Sequence, residues 1–181
     1  MSLIEKYKLA SLFRPDADQT FFMIYCLFNN VSNTEQLTAD YETTDICLID
    51  PSLIVDERQL QVATETALFH HHSGKAKTRN LNTEILFCLS PNNNISWSLQ
   101  TFGSKSQDDH LIAIKVVEEE RLDRNTNPFG LVNGNPIPFS DLKHITNESK
   151  VREIYNIPSF VVSIDHLLES ILNNISAKHL L

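Results

Sequence analysis

Residues 74–103, GKAKTRNLNTEILFCLSPNNNISWSLQTFG, combine a basic segment, an apolar run and an asparagine-rich turn in one continuous stretch. The run EILFCL, at residues 84–89, is short and apolar, which is typical of a buried strand. The serine, proline and asparagines that follow it predict a turn. Asn94 then predicts the cap of a helix over 95–102 that Gly103 would end. The stretch therefore predicts a strand, a turn and a helix, with cations at its start.

The sequence on either side continues this alternation of strands and helices. Apolar runs predict three more strands, at residues 21–28, 46–50 and 111–117. Helical spacing of apolar residues predicts a helix that Asp56 caps, with Gln59 as the capping-box partner, and that ends near His72. Gly74 is predicted as the left-handed residue after its end, and Ser163 as the cap of a second helix. Shorter helices are predicted at residues 34–40, 140–145 and 149–155. The pattern indicates an α/β (α+β) fold, a single domain over 1–181 with a central mixed sheet of about four strands packed against several helices.

The composition narrows the class of protein. The chain has 181 residues, a formal net charge of −8 and a hydrophobic fraction of 41%, which is enough for a normal core. Its acidic balance argues against a protein that coats nucleic acid by bulk charge. No apolar run approaches the roughly 20 residues of a membrane span, and the first residues do not resemble a secretion signal. We expect a cytoplasmic and nuclear protein without membrane contact.

Patterns of catalytic and cofactor-binding residues are missing. The four glycines, at 74, 103, 130 and 134, do not have the spacing of a dinucleotide-binding or phosphate-binding loop. The histidines at 70–72 are consecutive, so on a helix they would point about 100° apart and could not converge on one metal. Cys26, Cys47 and Cys88 lie in apolar runs without CxxC spacing, as buried small hydrophobes do. We therefore expect no enzyme activity, no cofactor and no metal.

The basic segment is the first candidate binding site. Lys75, Lys77 and Arg79 alternate with smaller residues, so an extended segment would place all three cations on one face. Such a face suits a phosphodiester backbone, which Arg and Lys contact without reading sequence. The alternative is a solvated loop whose cations pair with local carboxylates. The asparagines before the next helix likewise fit either a plain turn or a set of amides offered to a ligand.

Apolar side chains near two helices are the candidate sites for a protein partner. Trp97 is the only tryptophan, and it fits either the core or the anchor of an interface. The C-terminal helix carries an apolar stripe wide enough to be shared between the core and another protein. Its candidate partner-binding residues are Leu168, Leu172 and Ile175. The alternative surface for a partner is the apolar side of the helix from Asp56 to His72.

Three segments carry a family resemblance. They are KTRNLNTEILFCLSPNNNIS at residues 77–96, IDPSLIVD at 49–56 and SKVREIYNI at 149–157. Together they resemble the PRPK-binding protein (TPRKB) family, the small subunit of the KEOPS (EKC) complex. The resemblance covers most of the chain and is weakest before Ile46 and between Arg121 and Ile145. One departure is the segment 98–101, SLQT, where relatives often carry lysines.

The resemblance implies a compact α/β domain without activity of its own. It also implies binding to the N-terminal lobe of the small atypical KEOPS kinase/ATPase, indirect contact with other KEOPS subunits, and a part in tRNA threonylcarbamoyl-adenosine modification. In archaeal relatives this subunit holds the single-stranded 3′ CCA end of the tRNA. Lys75, Lys77 and Arg79 could supply the cations that such a single strand needs. The alternative is a regulator that binds the kinase and makes no contact with RNA.

Overall fold

The computed structural model describes residues 3–9, 20–39, 44–122, 127–161 and 163–178. These residues divide into two compact units, one formed by Met1–Asp50 with Ser104–Phe139 and the other by Pro51–Gly103 with Ser140–Leu181. None of the described helices combines the length and the apolar character that crossing a bilayer requires.

The first unit contains the sheet. Its strands are β1 (Glu5–Lys8), β2 (Phe21–Asn29), β3 (Cys47–Ile49), β4 (Leu111–Glu118) and β5 (Asn135–Ile137), and one helix, α1 (Thr34–Ala39), accompanies them. The strand order is β1–β2–β4–β3, and β5 also pairs with β2. Each of these pairs is antiparallel.

The long central strands hold the sheet in register through apolar residues. Tyr25 lies opposite Ile114 and Cys26 lies opposite Ala113. Side chains alternate between the two faces of a strand, and residues 25–28 and 111–114 are all buried, so both faces of the sheet are covered here and both sets of side chains are apolar. On one face Phe28 and Phe129 meet edge to face, with ring centroids 6.1 Å apart.

The α/β class predicted from the sequence is confirmed, and three predicted strands correspond to β2, β3 and β4. The predicted mixed sheet is antiparallel in all its described pairs. The prediction missed β1 because its sequence, EKYK, is polar and mostly exposed. It missed β5 because this strand has three residues and contains Pro136. The assignment of residues 1–181 to one domain stays a prediction.

The second unit is helical. Its helices are α2 (Glu57–His72), α3 (Leu81–Leu89), α4 (Ile95–Phe102), α5 (Glu148–Ile154) and α6 (Ile164–Ala177). Short 3₁₀ segments elsewhere in the chain are Pro51–Leu53, Glu119–Arg121 and Phe139–His144.

The predicted ends of α2 are confirmed. The carboxylate of Asp56 accepts a hydrogen bond from the amide of Arg58 at 2.9 Å and so satisfies a free donor of the first turn. Gln59 does not close a capping box with Asp56, since its Oε1 accepts from the amide of Val55 at 3.1 Å. At the other end Gly74 has a φ of +68°, the left-handed conformation that glycine adopts without steric cost.

The strand predicted at residues 84–89 is wrong, because this run forms most of α3. Asn80 caps the helix: its side chain accepts from the amide of Thr83 at 2.9 Å, and the Thr83 hydroxyl accepts from the amide of Asn80 at 3.4 Å. This reciprocal capping box places a helix start three residues before the apolar run. The run is buried on every side of the helix, so it shows no helical periodicity in the sequence.

Candidate functional site

The three predicted cations lie in the connection between α2 and α3, which we call the basic loop (residues 73–80). Lys75, Lys77 and Arg79 are all exposed. Residues 77–80 form successive bends, so the loop does not have the extended geometry considered for these residues. Gly74 turns the chain at the start of the loop, and the cap of α3 ends it.

Backbone hydrogen bonds fix the first half of the basic loop to the end of α2. The amide of Ser73 donates to the carbonyl of Phe69 at 2.9 Å. The amides of Lys75 and Ala76 both donate to the carbonyl of His70, at 2.8 and 3.1 Å. These bonds satisfy carbonyls that the helix end would otherwise leave open.

The side chain of Glu84 fixes the second half of the loop. Its Oε2 accepts from the amides of Lys77 and Thr78 at 3.0 and 2.9 Å and from the Thr78 hydroxyl at 2.8 Å. Its Oε1 lies 2.9 Å from Nδ1 of His70. The glutamate is fully buried, so its two oxygens depend on these partners in place of water.

The lysine ammonium groups of the loop are available to an outside anion. Within the described ranges, neither Lys75 nor Lys77 forms an ion pair with a carboxylate of the chain. The ammonium of Lys75 lies 5.6 Å from the centre of the Phe69 ring, within cation–π range. The basic loop therefore exposes cationic side chains to solvent, while hydrogen bonds to α2 and α3 hold its backbone in place.

A cluster of three ligand-type side chains lies beneath the loop. His70, Glu84 and Cys88 are buried, and their ligand atoms lie within 4.8 Å of one another. Both Glu84 oxygens already accept hydrogen bonds, and the ammonium of Lys178 interacts electrostatically with Glu84 and Cys88. A cation already present and a carboxylate already bonded disfavour a metal ion here, so we interpret the cluster as a hydrogen-bonded network.

The same cluster does not have the geometry of a cysteine nucleophile with its base. Nδ1 of His70 faces both Glu84, at 2.9 Å, and the sulfur of Cys88, at 3.9 Å, whereas a relay needs the two ring nitrogens to face different groups. Burial raises the pKa of the Cys88 thiol well above its usual range, although Lys178 opposes the shift. Burial and the charge of Glu5 likewise raise the pKa of Cys26 to about 12. A raised pKa disfavours the thiolate form, so neither thiol is activated as a nucleophile.

The residues predicted to contact a protein partner are placed on two helices. Trp97 is half-buried on α4 and meets the ring of Phe102 edge to face, with centroids 6.4 Å apart. On α6, the side chains of Leu168 and Ile175 are buried inside the protein, and the side chain of Leu172 is half-buried. Of the three predicted residues on α6, Leu172 is therefore the one whose side chain an outside protein can reach.

The asparagines before α4 form a turn and a helix cap, which is the first of the two interpretations that the sequence allowed. Oδ1 of Asn94 caps the helix by accepting from the amide of Trp97 at 3.0 Å. Oδ1 of Asn92 accepts from the amide of Asn94 at 2.9 Å. These amide side chains serve the turn and the helix start.

Sequence reasoning missed Glu84, because the residue counted as the first position of a strand. On a helix, Glu84 and Cys88 are four residues apart and share a face, which a helical assignment would have indicated. The contact between Glu84 on α3 and His70 on α2 could not be predicted from the sequence around either residue.

Comparison with known proteins gives a family match over most of the chain. The family model described as "Kinase binding protein CGI-121" matches residues 28–179. The chain is 32% identical over 154 residues to the EKC/KEOPS complex subunit TPRKB of Danio rerio, covering 84% of this chain and 88% of the relative. It is 31% identical over 143 residues to the EKC/KEOPS complex subunit CGI121 of Eremothecium gossypii, covering 74% and 79%. The match over most of the chain shows that this protein belongs to the CGI-121 family of kinase-binding proteins.

Proposed function

We propose that this protein is a non-catalytic subunit of a KEOPS complex that binds the complex's kinase/ATPase and holds the 3′ CCA end of tRNA. Relatives in two organisms carry the name of a KEOPS subunit, and the family description names kinase binding. In this role the protein supports threonylcarbamoyl-adenosine modification by tethering. A tRNA held by its tail presents its anticodon arm to a distant active site at a raised effective concentration.

One observation carries the RNA part of the proposal. The basic loop exposes Lys75, Lys77 and Arg79 while its backbone amides are hydrogen-bonded to the protein. Cations on an ordered backbone bind a phosphate chain with less loss of conformational entropy than cations on a mobile segment. The overall charge of −8 makes this local patch the exception on an acidic protein.

Reversing two charges of the loop tests the RNA contact. Lys77→Glu combined with Arg79→Glu should lower the affinity for a CCA-ended tRNA about tenfold or more and make the dependence on salt shallower. A filter-binding titration over a range of salt concentrations measures both quantities. Kinase binding in a pull-down should not change.

A matched variant separates the local patch from the overall charge. Lys143→Glu with Lys150→Glu changes the net charge by the same amount on other elements of the same unit. Equal losses of tRNA affinity in both double variants would assign the effect to bulk charge. A tRNA without its CCA end should bind the unmodified protein more weakly, and equal binding of the two tRNAs would contradict the tethering role.

A second candidate function is regulation of the kinase without RNA contact. The family description supports it, since it names kinase binding and no nucleic acid, and so does the acidic balance of the chain. The two functions differ in the CCA comparison: the regulator predicts no difference between intact and shortened tRNA.

The kinase contact is tested on α6. Leu172→Asp should lower the affinity for the kinase about tenfold or more, because a charge at an apolar contact must be desolvated on binding. Asn173→Asp is the matched control, since it adds the same charge at an adjacent exposed position. Calorimetric titration with the purified kinase measures both affinities, and thermal unfolding of each variant shows whether it is folded. An unchanged affinity for folded Leu172→Asp would move the interface away from this face of α6.

A further inference from the structure

We infer that Glu84 is a positioning residue for RNA binding: it holds the basic loop in the shape that presents Lys75, Lys77 and Arg79. This inference rests on the proposed contact between the loop and the tRNA tail. It assigns a role to a buried side chain that would touch no nucleotide itself.

The hydrogen bonds of Glu84 are directed at the part of the loop that carries the cations. One oxygen, Oε2, accepts hydrogen bonds from the amides of Lys77 and Thr78 and from the hydroxyl of Thr78, at 2.8–3.0 Å. Two successive amides aimed at one carboxylate oxygen fix the backbone on which the Lys77 side chain stands. The bonds join charged and neutral partners, which makes them stronger than bonds between neutral groups.

The glutamate is itself held from two sides. As a residue of α3 it follows the capping box of Asn80 and Thr83, which sets where the helix begins. From α2, Nδ1 of His70 lies 2.9 Å from the second oxygen, Oε1. Thr78 joins both parts, because its hydroxyl also lies 3.0 Å from that of Thr83. The carboxylate is thus a fixed point between two helices to which the loop is bonded.

Without this carboxylate the amides at 77 and 78 would be satisfied by water, and the loop would sample more conformations. All three cations would still be present, so the number of phosphates they can neutralise would not change. The affinity would fall because the loop must be ordered on binding. Disordering the loop should therefore leave the slope of log affinity against log salt unchanged, whereas removing its charges should reduce that slope.

The experiment uses the full chain with Glu84→Met, which removes both acceptor oxygens at similar volume, and, separately, Thr78→Val. Thr78→Val removes one donor to the carboxylate and leaves the buried glutamate in place. We expect hydrogen exchange of the amides at 77 and 78 to accelerate about tenfold or more in Glu84→Met. The acceleration should be smaller in Thr78→Val, because there the carboxylate still accepts from both amides. We expect affinity for a CCA-ended tRNA to fall about threefold to tenfold, with the slope of log affinity against log salt unchanged. Lys77→Glu with Arg79→Glu should reduce that slope and leave the exchange of these amides unchanged.

The outcomes separate the two proposals. Faster exchange at 77 and 78 with unchanged tRNA affinity, while the charge reversal weakens binding, would overturn the positioning role and keep the RNA contact. Unchanged exchange in both variants would also overturn it. If the charge reversal leaves tRNA binding unchanged, the proposed contact fails and the positioning role fails with it. Should Glu84→Met not fold, the Thr78→Val result decides.

Discussion

Replacing Phe102 by alanine should lower the free energy of unfolding by about 3–5 kcal/mol. Phe102 is fully buried at the end of α4 and is among the largest side chains of the core. Its ring meets Tyr155 at 6.2 Å and Trp97 at 6.4 Å between centroids. Truncation therefore removes apolar burial and leaves a cavity between two aromatic rings that cannot collapse freely. Urea unfolding followed by tryptophan fluorescence measures the change.

A variant on the same helix provides the control for this prediction. Ile95 is also apolar but is 37% exposed, so Ile95→Ala should cost less than about 1 kcal/mol. Similar losses for the two variants would show that Phe102 does not have the packing described. Phe102→Ala should also loosen the half-buried Trp97, because the edge-to-face contact between the two rings disappears.

Replacing Lys178 by methionine should raise the free energy of unfolding at neutral pH by about 1–3 kcal/mol. The Lys178 side chain is buried, its ammonium donates to the carbonyl of Phe87, and it lies 3.3 Å from the centre of the Phe87 ring. Burial lowers the pKa of the ammonium from 10.5 to about 8, although Cys88 and Glu84 act in the opposite direction. The charged form is therefore disfavoured in the folded state, and methionine removes that cost. The Phe87 carbonyl keeps the bond from the amide of Ser90.

The sign of the pH dependence distinguishes this explanation from a packing effect. Between pH 8 and 10.5 the folded protein has lost the Lys178 proton while the unfolded chain retains it. The unfolded state then binds more protons, so this group makes the protein more stable as pH rises through that window. The advantage of the methionine variant over the natural chain should thus be largest below pH 8 and shrink by pH 10.5.

Other groups titrate in the same range, so the difference between the two proteins is the informative quantity. Tyr155 and the buried thiols have raised pKa values through burial, and they lower stability as the pH rises. Tyr155 and Cys26 are common to both proteins and cancel in the comparison, whereas Cys88 cancels only in part, because Lys178 lowers the pKa of its thiol. Lys143→Met, at an exposed position, is the control and should show no such window. A constant difference across the range would contradict the pKa explanation.

Several features of the fold were predictable because their causes are local. Asp56, Asn94 and Ser163 were predicted as helix caps, and each accepts an amide of its own first turn. Gly74 was predicted as the left-handed residue after α2, and its φ of +68° agrees. Long apolar runs identified β2 and β4, since a strand buried in the middle of a sheet needs them.

The sequence predicted which charged residues form the candidate site, but it did not predict the conformation of the loop that carries them. Lys75, Lys77 and Arg79 could be selected by composition, because cations stand out in an acidic chain. The hydrogen bonds that hold them required Glu84, which was predicted in a strand. The error has a definite cause: a short helix buried all round has the same apolar pattern as a buried strand. The capping pair Asn80 and Thr83 was the local signal that could have corrected it.

The amino-acid order alone was enough for the α/β class, both ends of α2, the start of α6 and the presence of a basic segment. Each of these follows from contacts within a few residues, or from composition. The antiparallel pairing, the burial of Glu84 beside His70, and the partial exposure of Leu172 on a helix where Leu168 and Ile175 are buried depend on contacts between distant segments. Such contacts form when the chain packs, because the energy of burying a charge or an apolar surface depends on the groups that surround it in space.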